Sequence, residues 1–219
     1  MNRNYTKQNT IVLIDNGHGA DGETNGKFSP KLDPNEFNIK DPTVYDGRFR
    51  EGNCNRIIAK ELAAALKDAG VESKILVPED KDISLSERVK RANEFAKKHP
   101  DKAVIFISLH SNACGSGNTW ESATGFSSHV ARGASVWSRD LAKKLWDAAI
   151  VTGYKGNRWQ PEVGYHINDF YVIKKTNMPA VLTESLFYDN KEDLHKLMDP
   201  EHRKRIVNYL LAGILNFLD

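Results

Sequence analysis

Alternation of strands and helices along the whole chain predicts an α/β fold: a single domain with a mostly parallel six-stranded sheet flanked by helices on both faces. Three observations carry that expectation. Nearly continuous apolar runs occur at Ile11–Ile14, Ala103–Ile107 and Pro179–Leu182, the pattern of strands buried on both sides. Stretches of helical period separate them and are long enough for crossover connections. No repeat or linker interrupts the series, and 219 residues suit one large domain.

Residues 1–9 are polar and read as an N-terminal tail. The first strand covers about residues 11–15. Gly19 to Arg50 is rich in Gly, Pro, Asp and Asn, and so long a segment without regular structure is usually functional. A helix follows at about 52–69, with Ile58, Leu62, Ala65, Leu66 and Ala69 on one stripe and Gly70 as its stop. Val71 to Val77 reads as a strand. Ser84 and Glu87 form a capping box that opens a helix to about Lys98, with Leu85, Val89, Ala92 and Phe95 or Ala96 inward. Pro100-Asp-Lys makes a turn into the strand that ends at His110. Residues 112–128 read as a loop, and Val130 as part of a short strand. A helix at about 138–151 presents Leu141, Leu145, Trp146 and Ile150. Phe170 to Ile173 reads as a short strand and 179–183 as a central one. Asp199-Pro200, an N-cap with proline at the first helical position, opens the last helix, with Ile206, Leu210, Ile214 and Phe217 inward.

Bulk properties exclude some classes of partner. A net charge of +2 gives no electrostatic footprint for nucleic acid. No run of about 18 apolar residues exists, so no membrane span is expected. The polar N-terminus lacks the apolar centre of a signal peptide. Two cysteines, Cys54 and Cys114, make no disulfide framework.

Chemistry-bearing residues stand where the strands end. Ligands bind outside the carboxyl ends of parallel strands, and the three apolar runs lead into His18, His110 and Glu184. A single histidine at a strand end is usually structural. Two of them after separate buried runs, with carboxylates near, match the three-ligand pattern of a catalytic zinc site. Glu51, just before the 52–69 helix, is a candidate third ligand; a carboxylate there equally suits the positive end of a helix dipole, and spacing does not separate the two roles. His99, His195 and His202 sit in polar settings and read as solvated, whereas His129 and His166 fall in loops beside the cleft. Trp120, Trp159, Tyr165, Tyr171, Arg158 and Lys174 are candidate substrate contacts.

Four motifs occur in order: Ile14-Asp-Asn-Gly-His-Gly19, Arg50-Glu-Gly-Asn53, Ser108-Leu-His-Ser-Asn112 and Met178-Pro-Ala-Val-Leu-Thr-Glu184. Together they resemble the zinc-dependent N-acetylmuramoyl-L-alanine amidases of the amidase-3 type, over about Ile11 to Leu197. Asn16 stands where the family often has Pro, and Ala20 where it often has a second Gly. The resemblance implies that His18, Glu51 and His110 bind one zinc ion per chain and that Glu184 is the catalytic carboxylate. It implies peptidoglycan as the substrate and the bond between N-acetylmuramic acid and L-alanine as the target; the small net charge implies no nucleic acid, and no obligate protein partner is evident in the sequence. The setting it implies is the cell wall, reached by a phage lysis enzyme or by a catalytic domain trimmed from a secreted autolysin. Rival readings are a zinc carboxypeptidase acting on wall peptides and a non-catalytic wall-binding module on the same fold.

Overall fold

The three apolar runs become neighbouring strands in a computed structural model that describes residues 5–219. The elements follow in the order β1 (Thr10–Asn16), β2 (Val44–Tyr45), β3 (Arg48–Phe49), α1 (Glu51–Asp68), β4 (Glu72–Ile75), α2 (Leu85–Lys98) and β5 (Ala103–Asn112). The second half adds β6 (Phe126–Val130), α3 (Val136–Val151), β7 (His166–Ile167), α4 (Tyr171–Lys175), β8 (Ala180–Phe187), α5 (Lys191–Met198) and α6 (Pro200–Leu218). The six-stranded sheet has the order β4-β1-β5-β8-β6-β7, and β2 with β3 forms a separate hairpin. β4, β1, β5 and β8 are parallel, while β6 runs antiparallel to β8.

Successive strand residues point to opposite faces, and here the two faces have different cores. Val12, Ile14, Ile105, Ile107, Leu109 and Val181 belong to the larger core, which takes in the buried sides of α1, α3, α5 and α6. Leu13, Val104, Phe106, Ala180 and Leu182 belong to a smaller one with α2 and α4. On that smaller face the apolar rows stop short of the strand ends. Asp15, Ser108, His110 and Glu184 continue them, each a multiple of two residues beyond an apolar neighbour.

Registers then set the site. Asp15 lies opposite Ser108 across β1 and β5, and His110 lies opposite Glu184 across β5 and β8. The chain leaves β1 for β4 on one side, then returns through α2 to β5 on the other. The strand order therefore reverses between β1 and β5, the kind of position where open α/β sheets bind ligands.

Several expectations need correction. Phe170–Ile173 is not a strand: Tyr171–Lys175 is the short helix α4, and the remaining sheet strand is His166–Ile167. A four-residue apolar run does not distinguish helix from strand by period, and β8, the strand that follows it in the chain, is already flanked by β5 and β6. α2 turns Val89 and Ala92 inward as expected, with Phe95 and Ala96 packed on the smaller core, and departs from the stripe only in its first turn. Leu85 is 55% exposed, and Arg88 is buried beside Val89 and Ala92 because its guanidinium is satisfied by polar partners under the sheet edge. The short helix α5 was not anticipated; Asn190 caps it by accepting from the Asp193 N–H. Residues 19–50 are not loose: Leu32 and Phe37 enter the larger core, and the β2–β3 hairpin closes the segment. Of the polar N-terminal stretch, residues 1–4 lie outside the described residues; Tyr5 is buried against Trp137 and Phe217. Among the described residues no helix is long and apolar enough to cross a membrane.

Candidate metal centre

His18 leaves the end of β1 with a φ of 65°, in the left-handed region that non-glycine residues rarely adopt. Strain of this kind persists where surroundings hold it, and here they do. Arg56 donates to the His18 carbonyl at 2.8 Å and Arg88 at 3.3 Å. The residue before it must be glycine: a Cβ on Gly17 would lie 2.1 Å from His110 Cε1. Gly52 answers the same need below Glu51, since a Cβ there would lie 1.9 Å from the Gly19 carbonyl oxygen.

Glu51 is the first residue of α1, and its backbone N–H donates to the Lys27 carbonyl. Its two oxygens differ. Oε1 accepts from the Ser111 N–H at 3.3 Å and lies 3.0 Å from His110 Nδ1. Oε2 is buried without a hydrogen-bonding partner, 3.3 Å from His18 Nε2. One donor atom from each of His18, Glu51 and His110 falls within 4.8 Å of the others. Burial pushes the Glu51 carboxyl up, but the two imidazoles outweigh it and hold the group below the usual carboxylate range. Burial likewise lowers His18, against the pull of Glu51, which favours the neutral ring that binds metals.

Glu184 stands beside His110 with its Oε2 buried and unpartnered. Burial first, and then the charge of Glu51, raise its pKa well above the ordinary value, while Lys27 opposes the rise. Buried polar atoms are almost always hydrogen-bonded. Among the described residues, five of the seven buried side-chain atoms that are not (on Asn16, Glu51, Asn55, Ser111 and Glu184) belong to the four motif segments or the first turns of α1. Two imidazoles and a carboxylate with an orphaned oxygen fit zinc in donor type and number, with a fourth position left for water.

A cavity of about 390 Å³ opens over this cluster, lined by His18, His110 and Glu184 with Lys27, Phe170 and Tyr171. A neighbouring groove of about 440 Å³ holds Arg158, Trp159, His129 and His166. The two histidines stack at 5.1 Å in β6 and β7, not in loops. Trp120, Tyr165 and Lys174 are not in the cleft. Trp120 stacks on Phe37, Tyr165 packs on the larger core, and Lys174 pairs with Asp169. His195 also stacks on Phe37, and His202 bonds Asp199, so neither is simply solvated. Cys54 is buried with its thiol pushed up to about 12 by burial, and Cys114 is exposed, outside the His–Glu–His cluster.

Fold and cluster together define a class: an α/β protein with a His–Glu–His cluster that could hold a metal at the carboxyl edge of its sheet, beside a buried carboxyl group. A family model described as N-acetylmuramoyl-L-alanine amidase (Amidase_3) matches residues 12–216, and the chain belongs to that family. An uncharacterized cell wall amidase of Bacillus anthracis is 33% identical over 99% of this chain, which spans 36% of that relative's length. The amidase AmiA of Salmonella typhimurium is 25% identical, with 99% of this chain and 86% of the relative covered. Among solved structures, an N-acetylmuramoyl-L-alanine amidase from Clostridium difficile superposes with a TM-score of 0.74 at 26% identity, covering 97% of this chain and 98% of its own.

Proposed function

We propose that the chain hydrolyses the amide between the lactyl group of N-acetylmuramic acid and L-alanine in peptidoglycan, and that it acts at the cell wall. In this reading His18, Glu51 and His110 hold one zinc ion and Glu184 is the general base. The observation that carries it is the juxtaposition, across one pair of strands, of a three-donor cluster and an acid whose buried oxygen has no partner.

Zinc, when bound, supplies Lewis-acid polarisation of the carbonyl and a water acidified to a pKa of about 7. Glu184 takes a proton from the attacking water at Oε2 and later returns it to the leaving amine nitrogen. The role needs Glu184 ionised when it accepts the proton and protonated when it donates to the amine, and its buried, unpartnered Oε2 is the atom free for both. Phe170 and Tyr171 form an apolar wall of the cleft. Lys27 contributes a positive charge toward the carboxylates of a stem peptide.

Digestion of purified peptidoglycan by the zinc-loaded chain tests the proposal. New amino termini should be those of L-alanine, with stem peptides released intact. Other amino termini would make it a peptidase, and co-sedimentation with the wall without release would make it a binding module.

A further inference from the structure

Three buried polar residues outside the donor cluster form a continuous chain that ends on His110. Ser108 Oγ lies 2.6 Å from Asp15 Oδ2 and 3.1 Å from His110 Nε2. Asp15 Oδ1 in turn accepts from Arg88 at 2.7 Å. Asp15 is 1% exposed, Ser108 0% and Arg88 2%. Arg88 also donates to the carbonyls of Asn16 at 2.7 Å and His18 at 3.3 Å.

The proton inventory of this chain is fixed on the Ser108 side of the ring. A carboxylate accepts and does not donate, so the single hydroxyl proton of Ser108 goes to Asp15. Ser108 Oγ is then an acceptor toward His110, and the ring must carry its proton on Nε2. Nδ1 faces Glu51 Oε1 at 3.0 Å, so the metal-free ring can hold a proton there too, and Nδ1 offers its lone pair when a metal takes that proton's place. Metal-binding histidines commonly have their tautomer fixed by the partner of the other nitrogen. A buried Arg–carboxylate pair is weak evidence for stability, because apolar replacements of similar volume often do as well.

The geometry points to Arg88, Asp15 and Ser108 as a positioning relay that holds both histidines of the cluster: His110 by its tautomer and His18 by its carbonyl. The inference rests on the zinc reading of the cluster. Arg88 reaches both because α2 packs under the sheet edge between the ends of β1 and β5. None of the three supplies a donor atom to the cluster.

The test uses the whole chain and reads metal affinity and tautomer rather than turnover. Nitrogen-15 spectra of the zinc-loaded wild-type protein should show His110 with its proton on Nε2 and Nδ1 bound to the metal. In competition with a chelator, Ser108→Ala should bind zinc about 10–100-fold more weakly than wild type, with the His110 tautomer no longer single. Asp15→Asn, which keeps the shape of the side chain, should weaken binding in the same direction. A zinc-loaded ring that binds the metal through Nε2 overturns the relay, whatever the variants do. So does wild-type zinc affinity in a folded Ser108→Ala or Asp15→Asn protein. A wild-type chain that binds no zinc overturns the metal reading instead.

Discussion

On β5, Ile105, Ile107 and Leu109 point into the larger core, while Ser108 and His110 point to the face covered by α2 and α4. β8 repeats the division, with Val181 on one side and Leu182 and Glu184 on the other. The same strands thus serve a dry face built by packing and a polar face built for a cleft, and a shift of one residue moves a side chain between them. Neighbouring substitutions should therefore separate stability from chemistry.

The largest effect is expected on the polar face. Glu184→Ala should lose about 10²–10⁴-fold in turnover, with zinc content and thermal midpoint close to wild type. Near-normal turnover in that variant removes the assignment of the base. On the dry face, Ile105→Ala should cost about 2–5 kcal/mol in denaturant titration, because a fully buried side chain leaves a cavity. Its zinc affinity and its rate per folded molecule should not change. A loss of zinc affinity there would show that the two faces are not independent.

Gly17→Ala probes the boundary. The added methyl would meet the His110 ring at 2.1 Å from Cε1, and overpacking of this kind typically costs about 1–3 kcal/mol. Zinc affinity should fall further than stability does. If calorimetry finds only a lowered midpoint and unchanged metal binding, the glycine serves folding alone.

The smallest effect vanishes at neutral pH. Burial, and then His166, push the His129 ring down to about 3, from an ordinary value of about 6.5. Between those values the unfolded chain binds a proton that the native ring refuses, so native stability falls as pH drops from about 6.5 and is unaffected above it. Replacing His129 with Gln should flatten that part of a stability–pH curve. An unchanged slope in the variant rules out His129 as its source.

How much of this was legible in the sequence follows the same division. Strand ends are marked by where apolar runs stop, so His18, His110 and Glu184 could be read directly. Glu51 sits in the first turn of a helix, where a carboxylate has an ordinary electrostatic role, and only the family resemblance singled it out. Arg88 was missed although it had a signal: it is a charge on the buried stripe of α2, next to Val89 and Ala92. Asp15 and Ser108 read as polar ends of apolar strands until the register set them opposite each other. α4 and the exposure of Leu85 in the first turn of α2 depend on tertiary neighbours, which the sequence does not show. Trp120 and Tyr165 looked like cleft aromatics, yet they pack elsewhere because proximity in sequence to a cleft loop does not fix the direction of a ring.

The account rests on His18, Glu51 and His110 acting together as one metal centre next to a carboxylate that is not a ligand. Metal analysis of three purified proteins tests this most directly. Wild type and Glu184→Ala should each carry about one zinc per chain, and His110→Ala should carry far less. A His110→Ala protein that retains about one zinc per chain, or a Glu184→Ala protein that loses it, would contradict the account.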